Sequence, residues 1–98
     1  MSRYKIITAP YLDEMLLTHI AFIARVSIPA ARKYREEFAE IVRRLAENPY
    51  QFPVCEDANL QPGQYRKALF AKWYQAIFYV GGDTVYLDAV IDGRSDKN

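Results

Sequence analysis

Apolar residues recur at helical spacing near the start of the chain. The stripe predicts an amphipathic helix and consists of Leu12, Met15, Leu16, Ile20 and Ile23. Thr8 is predicted to cap this helix, and Pro10 fits its first turn, where the missing N–H of proline costs no hydrogen bond. The segment Arg25-Val26-Ser27 breaks the pattern, so the helix is predicted to end there.

A second helix follows, with the clearest pattern in the chain. Ser27 is placed to cap it, and Pro29 lies just inside it. Its predicted buried face consists of Ala31, Tyr34, Phe38, Ile41, Val42 and Leu45. On the charged face, Lys33–Glu37 and Glu40–Arg44 are spaced to pair across one helical turn. Asn48-Pro49 stops the helix, and the short connection between the two helices predicts an antiparallel hairpin.

Strand-forming residues occupy both ends of the chain. Residues 3–7 predict a short first strand, and three more are predicted at 64–70, 72–80 and 84–92. Gly81-Gly82-Asp83 signals a hairpin turn, because glycine readily adopts a positive φ. Residues 49–63 contain three prolines and predict a loop, which Tyr50, Phe52 and Leu60 are expected to pin to the core.

The last predicted strand alternates between apolar and polar positions. The residues predicted to face the helices are Val85, Leu87, Ala89 and Ile91. Those predicted to face outward are Thr84, Tyr86, Asp88 and Asp92, with Val90 as an exception. The element order βααβββ indicates an α+β domain spanning residues 1–98, with the N-terminal strand and the helical hairpin packed on one face of an antiparallel sheet.

Composition narrows the class of protein. The chain has 98 residues, of which 51% are apolar, as expected for one packed domain. No stretch of about 18 uncharged apolar residues occurs, and the N-terminus lacks a signal-peptide pattern, so neither a membrane span nor secretion is expected. The single Cys55 fits a reducing cytoplasm. One Cys and one His cannot supply a zinc site, and no phosphate-binding Gly loop is present, so no metal and no cofactor are expected.

Positive charge is concentrated within one segment. The net charge is only +1, yet Arg66, Lys67 and Lys72 lie in the aromatic-rich sequence GQYRKALFAKWYQ, with no acid between Ala58 and Gly82. Local potential steers an anion more than net charge does. These cations are therefore either ordinary solvated side chains or part of a sheet face that meets an anion.

The combined features resemble the RelE/ParE family of bacterial type II toxin–antitoxin toxins. They are Thr8-Ala9-Pro10, Ser27-Ile28-Pro29 with Ala30-Ala31, Leu45-Ala46-Glu47-Asn48-Pro49, Leu60, Gly63, Tyr65-Arg66, the aromatic strand ending near Tyr79, and Asp92-Gly93-Arg94. Their order and spacing cover nearly the whole chain. The resemblance implies a small antitoxin as partner, and as target either messenger RNA on the ribosome or DNA gyrase.

The RelE-like branch implies a metal-independent endoribonuclease. Such an enzyme needs a base for the 2′-hydroxyl, a cation for the phosphorane charge and an acid for the leaving oxygen. Arg66 and Arg94 are the candidates for gripping phosphate, because the guanidinium fork contacts two oxygens and stays charged. Lys67 and Lys72 are candidates for flanking phosphates, although alternation puts Lys67 on the face opposite Arg66. For each of these four cations the alternative is a solvated edge or loop position.

Two further candidates lie on the last strand, and the chain departs from the ribonuclease pattern both at Tyr74-Gln75 and at Asp92-Gly93-Arg94, where many relatives carry a basic residue in place of the acid. Asp92 is a candidate base, but beside Arg94 its pKa should be low, and the alternative is that it pairs with Arg94 to fix the tail. Tyr86 is a candidate for stacking on a base or for simply covering the sheet. Many ribonuclease relatives have Tyr-Arg where this chain has Tyr74-Gln75, and glutamine cannot neutralise a phosphorane. His19 is interpreted as a packing residue.

The sequence therefore predicts a cytoplasmic toxin that arrests growth and is neutralised by its antitoxin. Ribosome-dependent cleavage of messenger RNA is the favoured mechanism. Inhibition of DNA gyrase is the first alternative. A relative that has lost toxicity and acts as a protein-binding module is the second.

Overall fold

The computed structural model describes residues 3–56 and 63–96. Its elements run in the order β1 (Lys5–Thr8), α1 (Leu12–Ala24), α2 (Ile28–Glu47), β2 (Tyr65–Phe70), β3 (Tyr74–Gly81) and β4 (Thr84–Asp92). Short 3-10 turns follow α2 at Pro49–Gln51 and β4 at Gly93–Asp96. The order βααβββ and the α+β class are thus confirmed. Leu60, expected to pin the loop, lies outside the described residues.

The four strands form one sheet in the order β1-β4-β3-β2. The neighbours β2 and β3, and β3 and β4, are antiparallel, whereas β1 pairs with β4 in parallel. The sheet is therefore mixed rather than purely antiparallel. The alternation of side chains along a strand fixes its two faces, but it carries no information on the direction of its neighbour, so the sequence pattern did not distinguish these arrangements.

The core lies between the helical hairpin and one face of the sheet. Helix residues Leu12, Tyr34, Ile41 and Leu45 pack against strand residues Ala68, Ala76, Phe78, Val85, Leu87 and Val90, all of them buried. Each fully buried Leu or Phe contributes about 1.5–3 kcal/mol relative to an exposed position. The predicted apolar stripes of both helices are confirmed, with Phe38 and Val42 partly buried against this core.

The predicted helix starts differ in outcome. Ser27 caps α2 as expected, since its Oγ accepts a hydrogen bond from the Ala30 N–H at 3.2 Å. Thr8 does not cap α1, because it is the last residue of β1, and no side chain caps the helix that begins after Tyr11. Pro10 accordingly lies in the turn before the helix rather than in its first turn.

The two predicted ion pairs of α2 also differ in outcome. Lys33 pairs with Glu37 at 3.8 Å, as expected. Glu40 instead pairs with Arg43, which also binds Glu47 at 2.8 Å. Arg44 turns toward the end of the helix, where it donates to the side-chain oxygen of Gln51 at 2.9 Å.

A bulge in β4 changes which residues face the helices. Phe78 of β3 pairs with Leu87, while the preceding Ile77 pairs with Ala89, so Asp88 is an extra residue without a cross-strand partner. Beyond Asp88 the alternation is reversed. Ala89 and Ile91 therefore face away from the helices, and Asp92 shares the helix face with Val90. This corrects the predicted orientation of all three and explains why Val90 broke the pattern.

The two hairpin turns have different backbone conformations. Gly82 supplies the positive φ, 61°, of the predicted β3–β4 turn. The β2–β3 turn places two residues without that freedom, Ala71 and Lys72, at φ 48° and 79°. Lys72 is thus part of a turn, and β3 begins at Tyr74 rather than at residue 72. The Ala71 N–H donates to Oε1 of Glu37 at 2.7 Å, which ties the turn to α2.

Candidate functional site

Arg66 lies on the helix face of β2, close to the end of α2. Its Nη1 donates to the backbone carbonyl of Phe52 at 2.7 Å, and its guanidinium carbon lies 5.1 Å from the centroid of the Tyr50 ring. The segment that carries Phe52 also pairs with β2, since Val54 forms a β-bridge with Arg66. Arg66 therefore joins the loop after α2 to the edge strand.

Lys67 and Tyr86 lie on the opposite, outer face of the sheet. The register pairs Lys67 with Ile77 and Tyr86 with Tyr79, both on that face. Tyr86 stacks on Tyr79 with ring centroids 4.9 Å apart, and Tyr79 contacts Tyr65 edge-on at 5.3 Å. Three tyrosines thus cross the outer face in a row. The placement of Lys67 opposite Arg66 agrees with the alternation of the strand.

Asp92 and Arg94 form an ion pair where β4 ends. Arg94 donates to Asp92 from its Nη2 at 2.8 Å, from its Nε at 3.1 Å and from its backbone N–H at 3.0 Å. These hydrogen bonds lower the pKa of the Asp92 carboxyl, with the side-chain contact of Arg94 as the main cause. A carboxylate held in this way is a weak base at neutral pH. The sequence predicted this pairing as the alternative to a catalytic role.

The backbone between these two residues approaches β3 closely. The Gly93 N–H donates to the carbonyl of Trp73 at 2.8 Å. A Cβ on Gly93 would lie 2.6 Å from that carbonyl oxygen, so a larger residue does not fit without a shift. This approach brings the Arg94 guanidinium over the Trp73 ring, with 4.2 Å between the guanidinium carbon and the ring centroid.

A half-buried polar cluster lies behind the ion pair. His19 Nδ1 and the Tyr34 hydroxyl are hydrogen-bonded at 2.7 Å, and the His19 ring lies 5.0 Å from the ring of Tyr74. Tyr74 is the cross-strand partner of Asp92. Burial lowers the pKa of His19, an effect that the negative charge of Asp92 partly offsets. Burial also raises the pKa of Tyr34, so at neutral pH both groups are uncharged.

A groove opens between the end of the helical hairpin and the β2–β3 turn. Its volume is about 330 Å³, and its apolar walls include Phe22, Ile23, Val26, Tyr34, Trp73 and Tyr74. Charged side chains at its edge are Lys33, Glu37, Lys72 and Arg94. We call it the hairpin groove. It brings Lys72 and Arg94, two of the predicted site residues, to one surface.

Arg66 does not belong to that surface. Along β3 its neighbour is Phe78, whereas the neighbour of Asp92 is Tyr74. Four residues of an extended strand span about 13 Å, so Arg66 and Arg94 lie at different positions along the sheet. Each is also engaged within the protein, Arg66 with Phe52 and Arg94 with Asp92. The described residues therefore do not bring the two arginines together around one phosphate.

Sequence reasoning missed several residues of the groove. Lys33 and Glu37 were assigned to a solvated helix face, and Trp73 was assigned to a strand. His19 was interpreted as packing, and it does pack, but through a polar contact with Tyr34. The one usable signal was Trp73, an aromatic residue beside Lys72 in a segment without acids. Among residues 3–56 and 63–96, no three His, Cys, Asp or Glu side chains come together as a metal-binding group.

Comparison with known proteins gives a fold but no sequence family. No family model matches the chain, and no curated protein is found as a relative. Among solved structures, a chain of the "Chromosomal ParDE TA system from P. aeruginosa" superposes with a TM-score of 0.69 at 16% sequence identity. The alignment covers 91% of this chain and 95% of that one. The chain thus has a RelE/ParE-like fold, as its sequence resemblance implied. Within the described residues, no helix is long and apolar enough to cross a membrane.

Proposed function

We propose that this chain is the toxin of a type II toxin–antitoxin module, and that it acts by binding a protein target rather than by cutting RNA. A cognate antitoxin neutralises it. The observation that carries the first part is the likeness of fold, over almost the full length of both chains, to a component of a ParDE toxin–antitoxin system.

The positions of the arginines favour binding over cleavage. Cutting RNA through the 2′-hydroxyl needs a base, a phosphate-gripping cation and an acid within reach of one phosphate. Here the register positions of Arg66 and of Asp92, the ion-pair partner of Arg94, are about 13 Å apart along the sheet. Asp92 is held as a carboxylate of low pKa by Arg94. Gln75, which stands where many ribonuclease relatives have arginine, carries no charge.

DNA gyrase is the target that this mechanism implies. The RelE/ParE resemblance offers two targets, and the ParE-like branch acts on gyrase without RNA chemistry. A chain with a net charge of +1 also lacks the excess of cations that usually supports tight binding to ribosomal RNA. Cleavage of messenger RNA remains the competing mechanism, and the same experiment distinguishes the two.

The test is induced expression in a bacterial host, with pulse labelling of DNA and protein over the first minutes. We expect DNA synthesis to fall first, together with double-strand breaks, and purified protein to inhibit supercoiling by purified gyrase. An early fall in protein synthesis with intact DNA would instead support cleavage on the ribosome. Normal growth with both labels unchanged, from a folded and soluble protein, would contradict the toxin assignment.

A further inference from the structure

The walls of the hairpin groove include large apolar side chains that are exposed to solvent. The exposed fractions of Val26, Phe22 and Trp73 are 85%, 56% and 38%. All three line the same groove. Single exposed apolar residues are ordinary, but a contiguous set around a concave surface marks a binding site.

One wall of the groove is built from strained backbone. Ala71 and Lys72 both have positive φ, a conformation that costs non-glycine residues about 1–2 kcal/mol each. Glu37 accepts the Ala71 N–H and thereby holds the turn that presents Lys72 and Trp73. Positive φ at consecutive residues is the geometry of a tight hairpin turn, so the strain follows from the β2–β3 connection. The contact with Glu37 fixes Lys72 and Trp73 in position at the groove.

The charges at the groove's edge define the chemistry of its occupant. Lys33, Lys72 and Arg94 are cationic, and Glu37 is the acid among the lining residues. Lys33 pairs with Glu37 and Arg94 pairs with Asp92, so three cations meet two carboxylates and the edge keeps a net positive charge. Glu37 is already engaged by the Ala71 N–H and by Lys33. An occupant therefore gains most if apolar side chains enter the groove and carboxylates flank them. Two copies of this chain joined groove to groove would bring like charges together, which disfavours a symmetric dimer here.

We propose that the hairpin groove binds a segment of the antitoxin that carries apolar anchor residues flanked by carboxylates. The inference rests on the proposed function for the identity of the partner. The groove is large enough for one or two anchor side chains, and Phe22 and Val26 are wall residues that are exposed for contact with them. The positive charges of Lys33 and Lys72 favour an antitoxin segment that carries carboxylates on either side of its apolar anchor residues.

The experiment uses the full chain and the small protein encoded beside its gene, both purified. Trp73 is the one tryptophan of the sequence, so its fluorescence reports directly on the groove. Val26→Glu places a carboxylate on the apolar surface at a solvent-exposed position, which should leave the fold intact. Leu17→Glu is the matched control, since Leu17 is 65% exposed on α1 and does not line the groove.

For the apolar contact, we expect Val26→Glu to weaken antitoxin binding by about 30-fold or more, as for a central interface residue. Leu17→Glu should bind as the wild type does. Trp73 emission should shift on binding. In cells, the Val26→Glu variant should stay toxic while the antitoxin no longer rescues growth.

For the charged contact, the double variant Lys33→Gln, Lys72→Gly should bind about tenfold more weakly at low salt. This difference should shrink as ionic strength rises. Arg35→Gln, a charge change elsewhere on α2, is the control and should have no effect.

Three results would overturn the inference. The first is unchanged binding and rescue with Val26→Glu. The second is loss of toxicity with antitoxin binding retained, which would assign the groove to the target, whether protein or nucleic acid. The third is a wild-type dimer that Val26→Glu dissociates, which would assign it to a second copy of this chain. A fourth result would contradict the proposed function alone. The wild type would bind the small protein encoded beside its gene, Val26→Glu would weaken that binding, and the wild type would be harmless in cells.

Discussion

The guanidinium of Arg94 lies 4.2 Å from the centroid of the Trp73 ring, while two of its nitrogens donate to Asp92. The contact joins the residues after β4 to the β2–β3 turn. It does so at the edge of the hairpin groove. One side chain therefore links the end of the sheet, the strained turn and the proposed binding surface.

The Arg94–Asp92 pair predicts a stability difference that depends on pH. Arg94 lowers the pKa of Asp92, so the contribution of the pair is present above the unfolded pKa, near 3.9, and is lost as pH falls through the lower folded value. We expect Arg94→Gln to be less stable than the wild type at pH 7. The difference should shrink below about pH 4. Urea unfolding at pH 7 and pH 3 measures it, and a gap that is the same at both values would contradict the pairing.

Arg66 and Lys67, two neighbouring cations of β2, are expected to contribute differently to the stability of the fold. Removal of its hydrogen bond to the Phe52 carbonyl in Arg66→Ala should lower the free energy of unfolding by about 1–2 kcal/mol. Lys67→Ala, one residue along and on the outer face, should change it by less than about 0.5 kcal/mol. Chemical denaturation of both variants is the measurement. An Arg66→Ala variant with wild-type stability but no toxicity would show instead that Arg66 meets the target.

The pKa of the His19 imidazole can be measured from the NMR signals of its ring. It is the one histidine of the sequence, and burial beside Tyr34 lowers its pKa below 6.5. Because the unfolded chain then binds the proton more readily, the wild type should lose stability as pH falls from about 7 to 5. His19→Gln should lose less over the same range. A His19 titration at or above pH 6.5 would contradict this.

The β2–β3 turn predicts a stabilising substitution. Lys72 has a φ of 79°, which glycine adopts without cost. Lys72→Gly should therefore raise the free energy of unfolding by about 1 kcal/mol. Lys67→Gly removes the same charge from a strand, where glycine is unfavourable, and should lower it. If thermal unfolding shows Lys72→Gly to be no more stable than the wild type, the turn is not strained as described.

The elements were predictable from the sequence to the extent that they depend on local patterns. The stripe from Ala31 to Leu45 and the glycine turn at Gly82 both have local causes, side-chain periodicity and a positive φ. The parallel pairing of β1 with β4 depends on residues nearly 80 positions apart, such as Lys5 and Thr84, and no local pattern encodes it.

The site was less predictable than the fold. Lys72 and Arg94 were found because their charges lie beside aromatic residues or at a strand end. The groove that they share was not found, because its walls come from segments that are far apart in the sequence, namely the two helices, the β2–β3 turn and the residues after β4. Arg66 looked equivalent to Arg94 in the sequence, and only the strand register shows that they lie apart.

The bulge at Asp88 has a consequence for insertions and deletions rather than for substitutions. Its extra residue reverses the faces of everything that follows in β4, which is what turns Asp92 toward Tyr74 and His19. Deletion of Asp88 would remove the bulge and leave an uninterrupted pleat in which Ala89 directly follows Leu87 and lies on the outer face, so Val90 and Asp92 would keep the helix face. Deletion of a paired residue such as Ala89, with the bulge kept, would instead turn Asp92 to the outer face. A natural variant of this chain that is one residue shorter between Thr84 and Asp92 should therefore lack the residue at the bulge.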